Sequence, residues 1–316
     1  MPLDTSTTYR LTRLRLDGRR WNELRFIQAQ ISTNPASSGS SYLAMGNTVV
    51  VCNVHGPAEG KRSEASGAGG GGAVVSVVVN IAGFAGIDRK KKSMVGGGGG
   101  GDRQATTELS SALRDAFQPH LHTHIYPHST ISIHVSVLSS DGSIFAACIN
   151  ACTLALVDAG IPMPGLLCAC TVGMSGRAST PATELTRPPP TSAPAHIGGI
   201  NESLDPLLDM SHPEELELPH MTVANTNPIA GAGAFNGADD DEAEAAAEEE
   251  EEEAQMLSIV RMESGVHISY LETMFAVGID GCKQMRQILN GVLKGAGRKV
   301  LEGEAHYSGG ADMVDI

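Results

Sequence analysis

The residues with the most obvious chemical potential lie in one short run. His120, His122, His124 and His128 fall within HLHTHIYPHS, and imidazoles are common metal ligands. In an extended segment, alternate spacing sends successive side chains to opposite sides, and no carboxylate pattern lies nearby. The run is therefore read as a non-metal segment. Six glycines, Gly96–Gly101, resemble a phosphate-cradling loop only superficially. Asp102-Arg103 follows them where such a loop needs Lys-Ser or Lys-Thr at a helix entry. Cys52, Cys148, Cys152, Cys168, Cys170 and Cys282 all sit in apolar runs and none has CxxC spacing, so they read as buried free thiols in a reducing compartment. Basic groups gather at Arg10–Arg25, Lys61-Arg62 and Arg89–Lys92.

Composition narrows the class. The formal net charge is -14, but Asp239–Glu253 alone holds eleven acidic groups and no basic one. The remainder is close to neutral, so whole-chain acidity says little about what the folded surface binds. With 316 residues and 41% hydrophobic content, a sizeable core is expected. The N-terminus lacks the apolar region of a signal peptide, and no apolar run is long enough to span a bilayer. A soluble intracellular protein with no membrane contact is the expectation.

Several elements must position these groups. Phe26–Ser32 alternates as a strand does, a Ser/Gly turn follows at Ser37–Ser41, and Thr48–Val54 is a β-branched strand ended by Gly56-Pro57. Ala73–Ile81 reads as a buried strand. Thr106–Gln118 reads as a helix through Leu109, Leu113 and Phe117. Ile131–Leu138 alternates as a half-buried strand. The centre of the chain is Asp141–Met163, a helix apolar on nearly every face and interrupted only by Asn150 and Thr153. Asp141 or Ser143 is expected to cap it, and Gly160 with Pro162 to end it. Strands follow at Leu166–Val172, at Met221–Ala224 and at Met256–Met262, while Leu207–Met210 is a short apolar segment. A long helix begins at Ser269. The order predicts one α+β domain, with helices packed on a mixed sheet. Insertions 61–72, 94–102, 176–205 and 230–254 are expected to be disordered within it.

Certain residues carry a resemblance. LRLDGRRWNELR, with Asp17, Gly18, Arg19, Glu23, Leu24 and Arg25, resembles the entry motif of the RNase PH family. Met45-Gly46-Asn47-Thr48, Gly56-Pro57, Glu108-Leu109, Tyr126-Pro127 and Asp158–Met163 fit the same family. Within it, the likeness is to ring subunits of the eukaryotic exosome. The resemblance implies an RNase PH-like fold (ribosomal protein S5 domain 2-like) and a six-membered ring around an RNA channel. Active members cut the 3′-terminal nucleotide with inorganic phosphate.

What the resemblance implies for the site is specific. The phosphate cradle falls on Ser143, Ile144 and Phe145, with Phe145 where active members carry arginine. The acidic pair falls on Asp209 and Glu215, the second in place of aspartate. RNA contacts fall on Lys61, Arg62 and Arg103. No catalytic residue, cofactor or metal is expected, and the site is read as vestigial. The implied partners are other RNase PH-like exosome ring subunits, S1/KH cap proteins, an associated hydrolytic ribonuclease and single-stranded RNA, with residence in nucleus, nucleolus and cytoplasm. Two alternatives stay open at this stage. One is an active phosphate-dependent 3′–5′ exoribonuclease. The other is an acidic chaperone-like binder of basic partners, resting on Asp239–Glu253.

Overall fold

A computed structural model of the chain describes residues 14–59, 72–86, 100–175, 206–226, 256–262, 265–266, 268–301 and 314–315. Three antiparallel strands open the fold: β1 (Ile27–Ile31), β2 (Gly39–Met45) and β3 (Thr48–Glu59). Strand β4 (Val74–Ile81) leads to helix α1 (Gly100–His120), which returns the chain to β5 (Ser129–Ser139) lying parallel to β4. A parallel pair needs such a crossover, and the long helix supplies it. Helix α2 (Ile144–Asp158) follows, then β6 (Leu167–Met174), β7 (Pro206–Leu208), the short helix α3 (His212–Glu217), β8 (His220–Thr226) and β9 (Met256–Met262). Helix α4 (Ile268–Leu301) and the two-residue strand β10 (Val314–Asp315) complete it.

The strands form two sheets. One is six-stranded and mixed, in the order β10-β1-β2-β3-β5-β4; the other is four-stranded and antiparallel, in the order β7-β6-β8-β9. Helix α2 packs against strands of both, so its near-complete burial has a simple cause. Its two polar interruptions are satisfied by backbone. Asn150 donates through Nδ2 to Ala169 O (2.9 Å) and accepts from Ala169 N (2.8 Å), while the Thr153 hydroxyl donates to Leu167 O (2.8 Å). Each side chain thus completes a buried backbone pairing next to β6 rather than opposing burial.

The α+β class with a mixed sheet stands, and several local expectations change. Residues 39–41, expected as part of a turn, belong to strand β2. A side chain at Gly39 would put Cβ 2.4 Å from Ala155 O and Ala159 N, so this residue lets β2 lie against the end of α2. Strand β3 runs past Gly56-Pro57 to Glu59, with a register shift between His55 and Ala58 that absorbs the proline. Strand β4 is half-exposed, with Ser76, Val78 and Asn80 facing outward from the sheet edge. Neither Asp141 nor Ser143 caps α2 with its side chain. Ser143 adopts a left-handed conformation (φ 53°), and its hydroxyl donates to Met210 O (3.0 Å). The helix does end at Ala159-Gly160, where Gly160 has φ 70°. Residues 61–71, 94–99, 176–205 and 230–254 of the expected insertions lie outside the described residues, whereas 100–102 open helix α1.

Candidate active site

Two tight segments meet at the start of α2. The β5–α2 turn passes so close to residues 210–212 that a Cβ on Gly142 would lie 2.6 Å from Met210 O and 2.7 Å from His212 N. Gly142 also has φ 78°, so glycine is required here for both conformation and space. Gly142→Ala is expected to lose about 1–3 kcal/mol from backbone strain alone, read as a lowered thermal midpoint. An unchanged midpoint would show that the 210–212 backbone yields freely.

The contact brings together the four residues that the resemblance assigns to the vestigial site. Glu215 accepts a hydrogen bond from Ser143 N through Oε1 (2.6 Å), so a carboxylate of the chain itself sits on the turn that opens the helix. Burial is the main influence on Glu215 and pushes its pKa up; the Ser143 N–H and nearby positive groups oppose this only in part. Phe145 is buried, 7% exposed, and the Arg261 guanidinium of β9 stands 5.2 Å above its ring centre. A cation therefore does approach this position, from the other sheet and over the face of an aromatic ring.

Asp209 is not the free acid that the motif suggests. It is fully buried and its carboxylate is occupied by Arg25. Oδ1 accepts from Nη2 (2.7 Å), and Oδ2 accepts from both Nε and the backbone N (3.0 Å each). Burial alone would raise the Asp209 pKa; the charge and hydrogen bonds of Arg25, with Arg19 further out, outweigh it and hold the carboxyl below its ordinary value. The remaining Arg25 donors reach Asp141 O (2.6 Å) and Thr48 Oγ1 (3.3 Å), so one side chain ties the entry segment to β3, to the β5–α2 turn and to the Asp209 loop. Arg15 adds a second buried pair with Glu214 and donates to Leu208 O and Asp209 O. Arg19 donates to Asp209 O (3.2 Å). These arginines were legible in the sequence as a basic opening, but their burial was not.

Other expectations fall elsewhere. Lys61 and Arg62 lie outside the described residues. Arg103 belongs to the first turn of α1, remote in sequence from the Ser143–Glu215 cluster. The histidine run is not extended: Thr123–Ile125 forms a 3-10 turn that brings the rings of His122 and His124 within 5.6 Å, while His120 Nε2 pairs with Gly165 O (2.9 Å). Among the described residues, no group of three or more His, Cys, Asp or Glu is placed to hold a metal ion, and no helix is long and apolar enough to cross a membrane. All six cysteines are free and buried. Burial pushes Cys168 up to about 11 and Cys282 up to about 12, which leaves few thiolates at neutral pH.

Two buried arginines of an otherwise exposed entry segment, a left-handed turn at the start of a buried helix and an acidic loop facing it form one constellation. Residues 23–162 match the model of the 3′ exoribonuclease family, domain 1, and the chain belongs to this RNase PH family. Among proteins it resembles, it is 31% identical to exosome complex component ski6 of Schizosaccharomyces pombe, across 91% of this chain and 94% of that protein. It is 37% identical to the exosome complex component RRP41 homolog of Arabidopsis thaliana, across 89% and 92%. The crystal structure of rice (Oryza sativa) Rrp46 shares the fold at a TM-score of 0.58 and 20% identity, covering 87% of this chain and 98% of that one.

Proposed function

We propose that this chain is a ring subunit of the RNA exosome, shaping the channel for 3′–5′ RNA processing and degradation without cutting RNA itself. Similarity across nine-tenths of the chain to proteins named as exosome components supports the assignment to that complex. One observation carries the non-cleaving reading: the Ser143 N–H, which opens the helix where a phosphate would be held, is taken by Glu215. Phe145 offers that anion a hydrophobic ring in place of a guanidinium, and Asp209 is committed to Arg25. A nucleophilic phosphate thus meets an occupied donor, no bidentate partner and no free aspartate.

In this reading the partners are other RNase PH-like ring subunits, S1/KH cap proteins, a hydrolytic ribonuclease that does the cutting, and single-stranded RNA in transit. The compartments are nucleus, nucleolus and cytoplasm. Exposed apolar side chains on the edge strand β9, Leu257 and Val260, suit contact with a neighbouring subunit. The acidic chaperone-like alternative rests on residues 239–253, outside the described residues, and no described feature favours it.

The test is RNA binding by the assembled ring. Replacing Lys61, Arg62 and Arg103 together with glutamine is expected to weaken binding and to flatten the plot of log K against log salt by about 2, at roughly 0.7 per phosphate contact on a single strand. An unchanged slope would show solvated charges with no RNA contact. Failure of the chain to co-purify with other ring subunits would remove the assignment altogether.

A further inference from the structure

The six-stranded sheet presents its inner face to α1 and α2, and across β3, β5 and β4 the residues of its outer face are exposed or half-buried among the described residues. Near the middle of that outer face the register fixes a pair of histidines. Asn53 of β3 pairs with His134 of β5, and His55 pairs with Ser132, so His55 and His134 lie diagonally across adjacent strands on the same side. Both are exposed, and their ring centres are 5.6 Å apart with planes at 64°. Among the described residues no group hydrogen-bonds either ring. The surrounding outward positions, Tyr42, Val51, Asn53, Ser76, Val78, Ser132 and Ser136, include no lysine or arginine to repel a cation.

We propose that His55 and His134 form a two-imidazole site for a divalent transition ion of the zinc class. The spacing fits this chemistry. An imidazole nitrogen binds such an ion at about 2.0–2.1 Å, which places each ring centre roughly 3.2 Å from the metal. Two arms of that length, opened to between the tetrahedral angle and about 120°, hold the ring centres about 5.2–5.5 Å apart. The pair already stands at 5.6 Å, on two hydrogen-bonded strands that fix the Cβ positions. Turning one nitrogen of each ring toward the gap breaks no hydrogen bond. The remaining coordination positions go to water, as in an open site. His122 and His124 show the same ring separation, but they sit on a one-turn 3-10 segment without that framework.

The experiment is calorimetric titration of the full chain with zinc chloride in excess Mg²⁺, which occupies carboxylates in preference to imidazoles. One saturable zinc site is expected. His55→Ala and His134→Ala should each weaken it by at least about tenfold, since losing a direct ligand costs no less than losing an outer-sphere partner. The double variant His122→Ala/His124→Ala should leave it unchanged. With Cu²⁺ in place of zinc, electron spin-echo modulation should report two imidazoles in the parent and one in either single variant. Both side chains are exposed, and circular dichroism checks that each variant is folded. No saturable zinc binding, or binding that survives in His55→Ala/His134→Ala, overturns the proposal. Loss in His122→Ala/His124→Ala instead would move the site to the 3-10 turn and equally overturn it.

Discussion

Asp209→Ala is expected to lose about 3–5 kcal/mol of folding stability, because removing one partner of a buried ion pair strands the other charge. Arg25 would keep its carbonyl acceptor at Asp141 and its hydroxyl at Thr48, but its charge would lose its hydrogen-bonded counter-ion in a buried site, leaving only the charges of Asp141 and Glu215 to offset it. Denaturant unfolding measures the loss. A midpoint equal to that of the parent would show that the pair contributes nothing. The double variant Arg25→Met/Asp209→Leu should recover part of the deficit, since two apolar groups leave no charge uncompensated. The pH dependence has a definite sign. Asp209 is held below its ordinary pKa in the fold, so its contribution is complete above the unfolded value of about 3.9. It is then lost as pH falls from there through the lower folded value. Glu214, lowered by Arg15 against its own burial, adds a loss of the same sign.

Purified rings containing this chain, without a hydrolytic nuclease, should release no nucleoside diphosphates from labelled single-stranded RNA as phosphate is raised. A missing donor at a charged transition state typically raises the barrier by about 3–4 kcal/mol, a hundred- to thousandfold in rate. Here the guanidinium is replaced by Phe145 and the nearby N–H is already bonded to Glu215. Phosphate-dependent release that disappears in Glu215→Gln would establish the active exoribonuclease instead. Asp209→Ala is the wrong diagnostic, because that side chain holds the fold together. Phe145→Arg combined with Glu215→Asp is the restoring variant. Its gain should be partial, since the new guanidinium enters beside Arg261, which stands 5.2 Å from the ring it replaces.

Periodicity made the regular elements legible. The alternation at Ile131–Leu138 and the all-round apolar run of Ile144–Val157 correspond directly to β5 and α2, because burial on one face or on every face leaves a pattern in residue type. Where close backbone approach rather than side-chain pattern decides, the sequence misleads: Gly39-Ser40-Ser41 has turn composition, yet it is a strand laid against a helix end. The 3-10 turn through His124 was equally hidden, since three residues carry no period. At the site, residue types were readable through resemblance, but pairing was not. Arg25 and Asp209 lie 184 positions apart, and an arginine in a basic opening has the same composition whether buried or solvated. Arg261 gave no signal in its own strand, because the ring it covers belongs to the other half of the fold.

The pairing of β1 with β10 has a consequence for how the chain is made. Gln28 and Ala29 find their last backbone partners in Asp315 and Val314. During translation β1 emerges long before β10, so this edge of β1 lacks that partner until residues 314 and 315 have been made. An open edge is a template for other chains. A chain lacking residues 314–315 would keep helix α2 and the Arg25–Asp209 pair, yet would present the edge of β1 that β10 covers.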